Sequence, residues 1–141
     1  MSTIDAIASA VTFLWLGMVL AISFLEAPLK FGAPGVTVRV GLAIGRRVFR
    51  ALNAAEGVLA LVLLVTAAFG PPAAPAGAAL ALAAAALLLQ LMTVRPRLNR
   101  RTEAVLAGAD APRSRAHLAY IALEAVKVVA LAVGGIALLA G

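Results

Sequence analysis

From Gly57 to Val94 the chain runs without one charged side chain. As a single helix rising ~1.5 Å per residue, that run would be about 57 Å long, nearly twice the hydrocarbon core of a bilayer. It has no polar face to turn towards water, as an amphipathic soluble helix would. The run must therefore fold back on itself, and Gly70-Pro71-Pro72-Ala73-Ala74-Pro75 marks the place. Proline lacks a backbone donor and its ring clashes with the preceding turn, so a proline cluster ends a helix.

The same reading applies to the rest of the chain. Ala6–Leu25 is a further uncharged stretch, long enough to span, and Leu118–Ala140 is interrupted only by Glu124 and Lys127. The prediction is an all-α fold: one transmembrane domain over 1–141, a bundle of four membrane-spanning helices at about 4–27, 48–69, 77–94 and 117–140. Composition agrees. The chain is 64% hydrophobic and 13% charged, about half the charge that covers a soluble domain, and its mean hydropathy is +1.07. A soluble Ala-rich bundle is the competing reading, and the faceless central run argues against it. The first span is expected to be retained rather than cleaved, because no Lys or Arg precedes it and its apolar run exceeds that of a signal peptide.

Several chemistries are excluded or left without a signal. There is no Cys and one His, so disulfides, thiolate catalysis, Cys-ligated metals and two-His haem ligation within one chain are excluded. No phosphate-cradling glycine loop, HExxH or Ser-His-Asp set is visible. No cofactor or metal is expected, and nothing selects an enzyme, although a carboxylate and a tyrosine can do acid–base work.

The charges that remain are strongly patterned. The first connection carries Lys30, Arg39, Arg46, Arg47 and Arg50, and the third carries Arg95, Arg97, Arg100, Arg101, Arg113 and Arg115. Of the 12 basic residues only Lys127 lies elsewhere, and in a four-span protein both connections lie on one side. The positive-inside bias puts that side in the cytoplasm, with both termini outside, in the inner cell membrane. The net charge of +6 then needs no nucleic-acid partner. Its expected partners are anionic head groups, and a homodimer or a larger membrane complex is a further possibility.

The two halves share a possible duplication. Sliding the chain along itself until Pro28 meets Pro96 also brings Arg47 onto Arg115, Glu56 onto Glu124, Phe49 onto His117 and Leu52 onto Tyr120. Coincidence under a shared topology is the alternative. A true repeat would make two equivalent helical hairpins.

Ionisable groups at membrane depth are costly and mark either function or a buried pair. On the fourth span His117, Tyr120, Glu124 and Lys127 follow at spacings of 3, 4 and 3, within about an 80° arc of a helix. Glu124 and Lys127 lie ~13 and ~18 Å beyond Arg115, Asn53 and Glu56 ~5–9 Å beyond Arg50, and Gln90 ~7 Å from Arg95. Glu26 ends the first span. The expectation is a polar cluster in the cytoplasmic half, made of Glu26, Asn53, Glu56, Gln90, Tyr120, Glu124 and Lys127, with an outer half almost bare. Its carboxylates outnumber its one ammonium, so a protonated carboxyl, Arg47, Arg50 or a bound cation must supply the balance.

Smaller signals have bland readings beside them. Gly41-Leu42-Ala43-Ile44-Gly45 has the spacing of a helix-pairing motif but falls in the connection rather than mid-span. Residues 36–53, if helical, put Arg39, Arg46 and Arg50 on one face that could lie along the membrane and run into the second span, holding anionic lipid. The Ala-rich third span is expected at the centre of the bundle, and Gly134-Gly135 to permit close packing. His117 is expected at the interface, Tyr120 as an interfacial anchor, and Trp15 as a packed residue.

The stretches Ser23–Phe31, Gly41–Phe49 and Leu123–Lys127, about a sixth of the chain, resemble motifs of small bacterial four-span membrane proteins of unknown function. The layout is also similar to a wider uncharacterised four-span family with eukaryotic members. The resemblance implies no activity; it implies that the Glu26–Lys30 corner and the Glu124/Lys127 pair matter. Two main functional readings follow: a structural, accessory or oligomer-forming membrane protein, or a proton- or cation-linked small-solute carrier or channel using Glu56 and Glu124. A lipid-directed enzyme opening beside His117, Tyr120 and Glu124 is a third.

Overall fold

The computed structural model describes all residues, Met1–Gly141, and consists of four long helices: α1 (Thr3–Gly32), α2 (Val38–Phe69), α3 (Ala74–Leu106) and α4 (Arg115–Ala140). Each is long and apolar enough to cross a bilayer. There are no strands, so the chain has the fold of a multi-pass four-helix membrane protein.

The helix starts are written in local sequence. Ser2 Oγ accepts the Asp5 N–H at 3.1 Å while the Asp5 carboxylate accepts the Ser2 N–H at 3.2 Å, a reciprocal cap for α1. Thr37 caps α2 through the Val40 N–H at 3.2 Å, and Ser114 opens α4. The turn into α2 passes through Gly35 at φ +82°, a backbone conformation that side-chain-bearing residues avoid. α2 ends at Phe69, ahead of the Pro71-Pro72 pair, and α3 begins at Ala74.

Two boundaries differ from the sequence reading. The first connection, expected at 26–47, is helical up to Gly32 and again from Val38. The third, expected at 95–117, is helical as far as Leu106. The basic segment before the second span is helical and runs into that span, as expected, but not as a separate element along the membrane. It continues α2 without a break, giving 32 residues, about 48 Å of helix that outruns an apolar core of ~30 Å. Once a helix is nucleated, each further residue adds a bond, so arginine-rich turns extend it cheaply outside the membrane.

The proposed repeat has a structural counterpart. In α1 the turn Leu20–Glu26 is a π-helix, closed by Ala27 N–H to Ile22 C=O. In α3 the turn Gln90–Val94 is also π, closed by Arg95 N–H to Gln90 C=O. Donor and acceptor coincide when Pro28 is laid on Pro96, and each proline directly follows its donor residue. A proline ring inside a helix collides with the carbonyl four residues back; a widened turn moves that carbonyl aside. Outside these turns the halves diverge: the extra helical turns sit before the second span in one half and after the third in the other. They meet at Arg46 and Glu103, 3.9 Å apart.

The Ala-rich third span is not the central one. α4 packs against both α1 and α3 and has the largest buried share of the four. Gly134-Gly135 explains why. A Cβ on Gly134 would stand 3.0 Å from the Leu80 side chain, and one on Gly135 would stand 2.6 Å from the Phe13 ring. The glycine pair therefore admits α3 on one side and α1 on the other, while alanine side chains of α3 allow the close approach. The Gly41/Gly45 pair serves an intrachain contact: Phe31 occupies the space of a Gly41 Cβ, and Lys30 Nζ lies 3.0 Å from that of Gly45. The apolar core runs through Trp15, Val19, Leu63, Leu87 and Leu131, whereas Leu61, Leu64, Phe69, Leu118 and Ile136 face outwards.

Candidate functional site

At mid-length of the bundle Lys127 joins two glutamates from different helices. Its Nζ lies 2.5 Å from Glu56 Oε2 and 2.5 Å from Glu124 Oε1. All three side chains are buried, with at most 2% exposure. Lys127 and Glu124 are one helical turn apart on α4, and α2 supplies Glu56.

Each carboxylate accepts two further bonds from neutral donors. Glu56 Oε2 also accepts the Trp15 indole N–H at 2.7 Å, and Glu56 Oε1 accepts Asn53 Nδ2 at 3.0 Å. Glu124 Oε1 accepts Gln90 Nε2 at 2.8 Å, and Ser23 Oγ bonds Glu124 Oε2. Every helix thus contributes: Trp15 and Ser23 from α1, Asn53 and Glu56 from α2, Gln90 from α3, Glu124 and Lys127 from α4. Burying ions costs several kcal/mol each, and only this degree of pairing and hydrogen bonding offsets it.

Of the residues expected to cluster, Asn53, Glu56, Gln90, Glu124 and Lys127 form one bonded network. Tyr120 borders it, lending its backbone carbonyl to Gln90 Nε2 at 3.4 Å, while its ring stacks edge-on with Phe49 at 5.6 Å and its hydroxyl is buried without a partner. It is a packed residue rather than an interfacial anchor. Glu26 does not join. It lies a turn beyond Ser23 and pairs with Lys30 at 3.6 Å, its side chain 37% exposed. The proline and the π turn direct that corner to the basic end, away from the triad. The sequence reading leaves Trp15 and Ser23 out of the cluster. An indole N–H mid-span is a signal for a buried acceptor, but a lone serine in an apolar span gives none.

With Glu26 outside, two carboxylates face one ammonium, a formal −1 if both ionise. Arg47 and Arg50 make no ion pair with the network, so they do not supply the balance. The two glutamates differ in what they can do. The partners of Glu56 are N–H donors, of which Trp15 and Lys127 can only donate. Glu124 Oε2 meets a hydroxyl, which can donate or accept. A donor in place of Glu124 Oε2 would therefore keep its bond to Ser23.

The half away from the basic end is not wholly bare, since Ser9 and Thr12 are buried in α1. Thr12 Oγ1 satisfies itself on the Ala8 carbonyl at 2.7 Å.

Towards the basic end, Arg95 lies over two aromatic rings, 4.9 Å from that of Phe49 and 4.5 Å from that of Tyr120. Arg39, Arg97, Arg100, Arg101, Arg113 and Arg115 share that end, and Arg101 Nε bonds the Ala111 carbonyl at 3.0 Å. The N-terminus, the Pro71-Pro72 turn and the C-terminal residues 137–141 gather at the opposite end.

The fold and site thus define a class: a small multi-pass membrane protein with a buried, charged hydrogen-bond network joining all four helices. Comparison with protein-family models, with curated proteins and with solved structures finds no match at any of the three levels.

Proposed function

We propose that this chain is a structural membrane protein of the bacterial inner membrane, an oligomer-forming scaffold or an accessory subunit of a larger complex, with its basic end in the cytoplasm and both termini outside. The observation that carries this reading is the closure of the Glu56–Lys127–Glu124 network. Its charged groups are shielded from solvent, and its donors come from all four helices. Such a network locks helix register and rotation in a medium where apolar side chains give little directional preference. The concentration of arginine at one end supports the orientation. The likeness of the Ser23–Phe31, Gly41–Phe49 and Leu123–Lys127 stretches to small bacterial membrane proteins supports the location.

One observation favours the other reading, a proton- or cation-linked carrier: a carboxylate of the buried network meets a hydroxyl, a group that can both donate and accept. The sealing of both glutamates weighs against it, because translocation needs water or a polar path to them from both sides. Vesicles containing the purified chain separate the two. The structural reading expects proton and potassium flux no faster than in protein-free vesicles. Flux that disappears in folded Glu124→Gln protein would establish the carrier instead.

A further inference from the structure

Beyond the buried network, α2 and α3 leave a cleft of about 330 Å³ between them at the basic end, lined by Arg46, Arg50, Asn53, Arg95 and Asn99 among seven residues. We propose that this cleft is a binding site for a phosphate group, carried by a lipid head group or by a free phosphate.

The chemistry of the lining points to an anion. Three guanidinium groups and two amides line it, and no carboxylate does. Arg50 and Arg95 have no ion-pair partner; Arg46 has only the exposed Glu103 at 3.9 Å. Arg95 is held in place by the Phe49 and Tyr120 rings, yet its Nε and Nη2 are shielded from solvent with no acceptor. A buried donor without a partner costs free energy, and a fork of guanidinium donors matches phosphate oxygens in geometry and charge. An ordinary basic loop would spread its arginines into water. Here two helices bring them to the walls of one cavity, and the π turn preceding Arg95 is what sets that residue's position on α3.

The cleft also touches the buried network. Asn53, in the lining, donates Nδ2 to Glu56, and Glu56 in turn accepts from Trp15, the only tryptophan. Occupancy of the cleft is therefore expected to be visible in Trp15 emission.

The test uses the full chain in a neutral detergent, with two probes: inorganic phosphate, and short-chain phosphatidylglycerol compared with phosphatidylcholine. Retained lipid is read by native mass spectrometry and affinity by Trp15 emission. The expected result is preferential binding of phosphatidylglycerol, weakened about fivefold by Arg50→Gln and again by Arg95→Gln, the value of one arginine near a charged lipid surface. Competition by inorganic phosphate would identify a free-phosphate site, and its absence a head-group site. Arg97→Gln and Arg100→Gln, outside the cleft, should bind as the unaltered chain does. The proposal is overturned if neither probe binds, or if the outside variants weaken binding as much as the cleft variants. Arg50 is exposed, so its variant keeps the test valid should Arg95→Gln fail to fold. None of these outcomes bears on whether the buried network conducts, which the flux measurement decides separately.

Discussion

Lys127 Nζ reaches Glu56 Oε2 at 2.5 Å, joining α4 to α2, and the contact lies where neither group meets solvent. This pair, with Glu124 on the other side of the ammonium, is the polar centre about which the four helices are arranged.

Lys127→Met should be the most damaging single change in the chain. It leaves two carboxylates close together with no cation, and breaking a buried pair from one side costs about 3–5 kcal/mol. Thermal unfolding in detergent, followed by size-exclusion fluorescence, should show a large loss of folded protein. Adding Glu56→Gln to Lys127→Met should restore part of it. If the double variant is no better than the single one, the ion pair is not what Lys127 contributes.

The two glutamates should respond differently to amide replacement. In Glu124→Gln the new amide can donate to Ser23 while its carbonyl still accepts from Gln90 and Lys127, so stability should stay within about 1 kcal/mol of the unaltered chain. Glu56→Gln removes a charge held by the Trp15 and Lys127 donors, and should cost about 1–3 kcal/mol. Equal losses at the two positions would refute the difference between their hydrogen-bond partners.

Gly135→Leu should separate α1 from α4, because even a Cβ there would stand 2.6 Å from the Phe13 ring. Overpacking of this kind costs about 1–3 kcal/mol. Gly135→Ala combined with Phe13→Leu should recover most of the stability lost by Gly135→Ala alone, as measured by the midpoint of thermal unfolding.

The chain has no cysteine, so single substitutions report topology directly. In spheroplasts a membrane-impermeant maleimide should label Ala73→Cys, in the proline turn, and leave Ala109→Cys unlabelled until the membrane is opened. The reverse pattern would invert the orientation.

Much of this was legible in the residues. The charge-free run Gly57–Val94, broken by prolines, requires a hairpin of spans, since hydropathy and helix length are local, additive properties. The spacing of Glu124 and Lys127 placed them on one face, and the helical period needs nothing beyond the sequence. The coincidence of Pro28 with Pro96, legible as a sign of duplication, falls where the structure has its two π turns.

Other features lay outside that reach. That Ser23 bonds Glu124 and Trp15 bonds Glu56 depends on helix rotation and depth, set by side-chain packing across α1, α2 and α4. That Glu26 turns away to Lys30 depends on the π turn beside Pro28, and that α4 rather than the alanine-rich α3 occupies the centre depends on where Gly134 and Gly135 allow close approach. Sequence by itself determined how many helices there are, which segments cross, and which residues cannot face lipid, because the bilayer acts on each segment separately. Only the tertiary structure decided which polar groups meet, because a buried charge is satisfied by partners whose positions arise from all four helices at once.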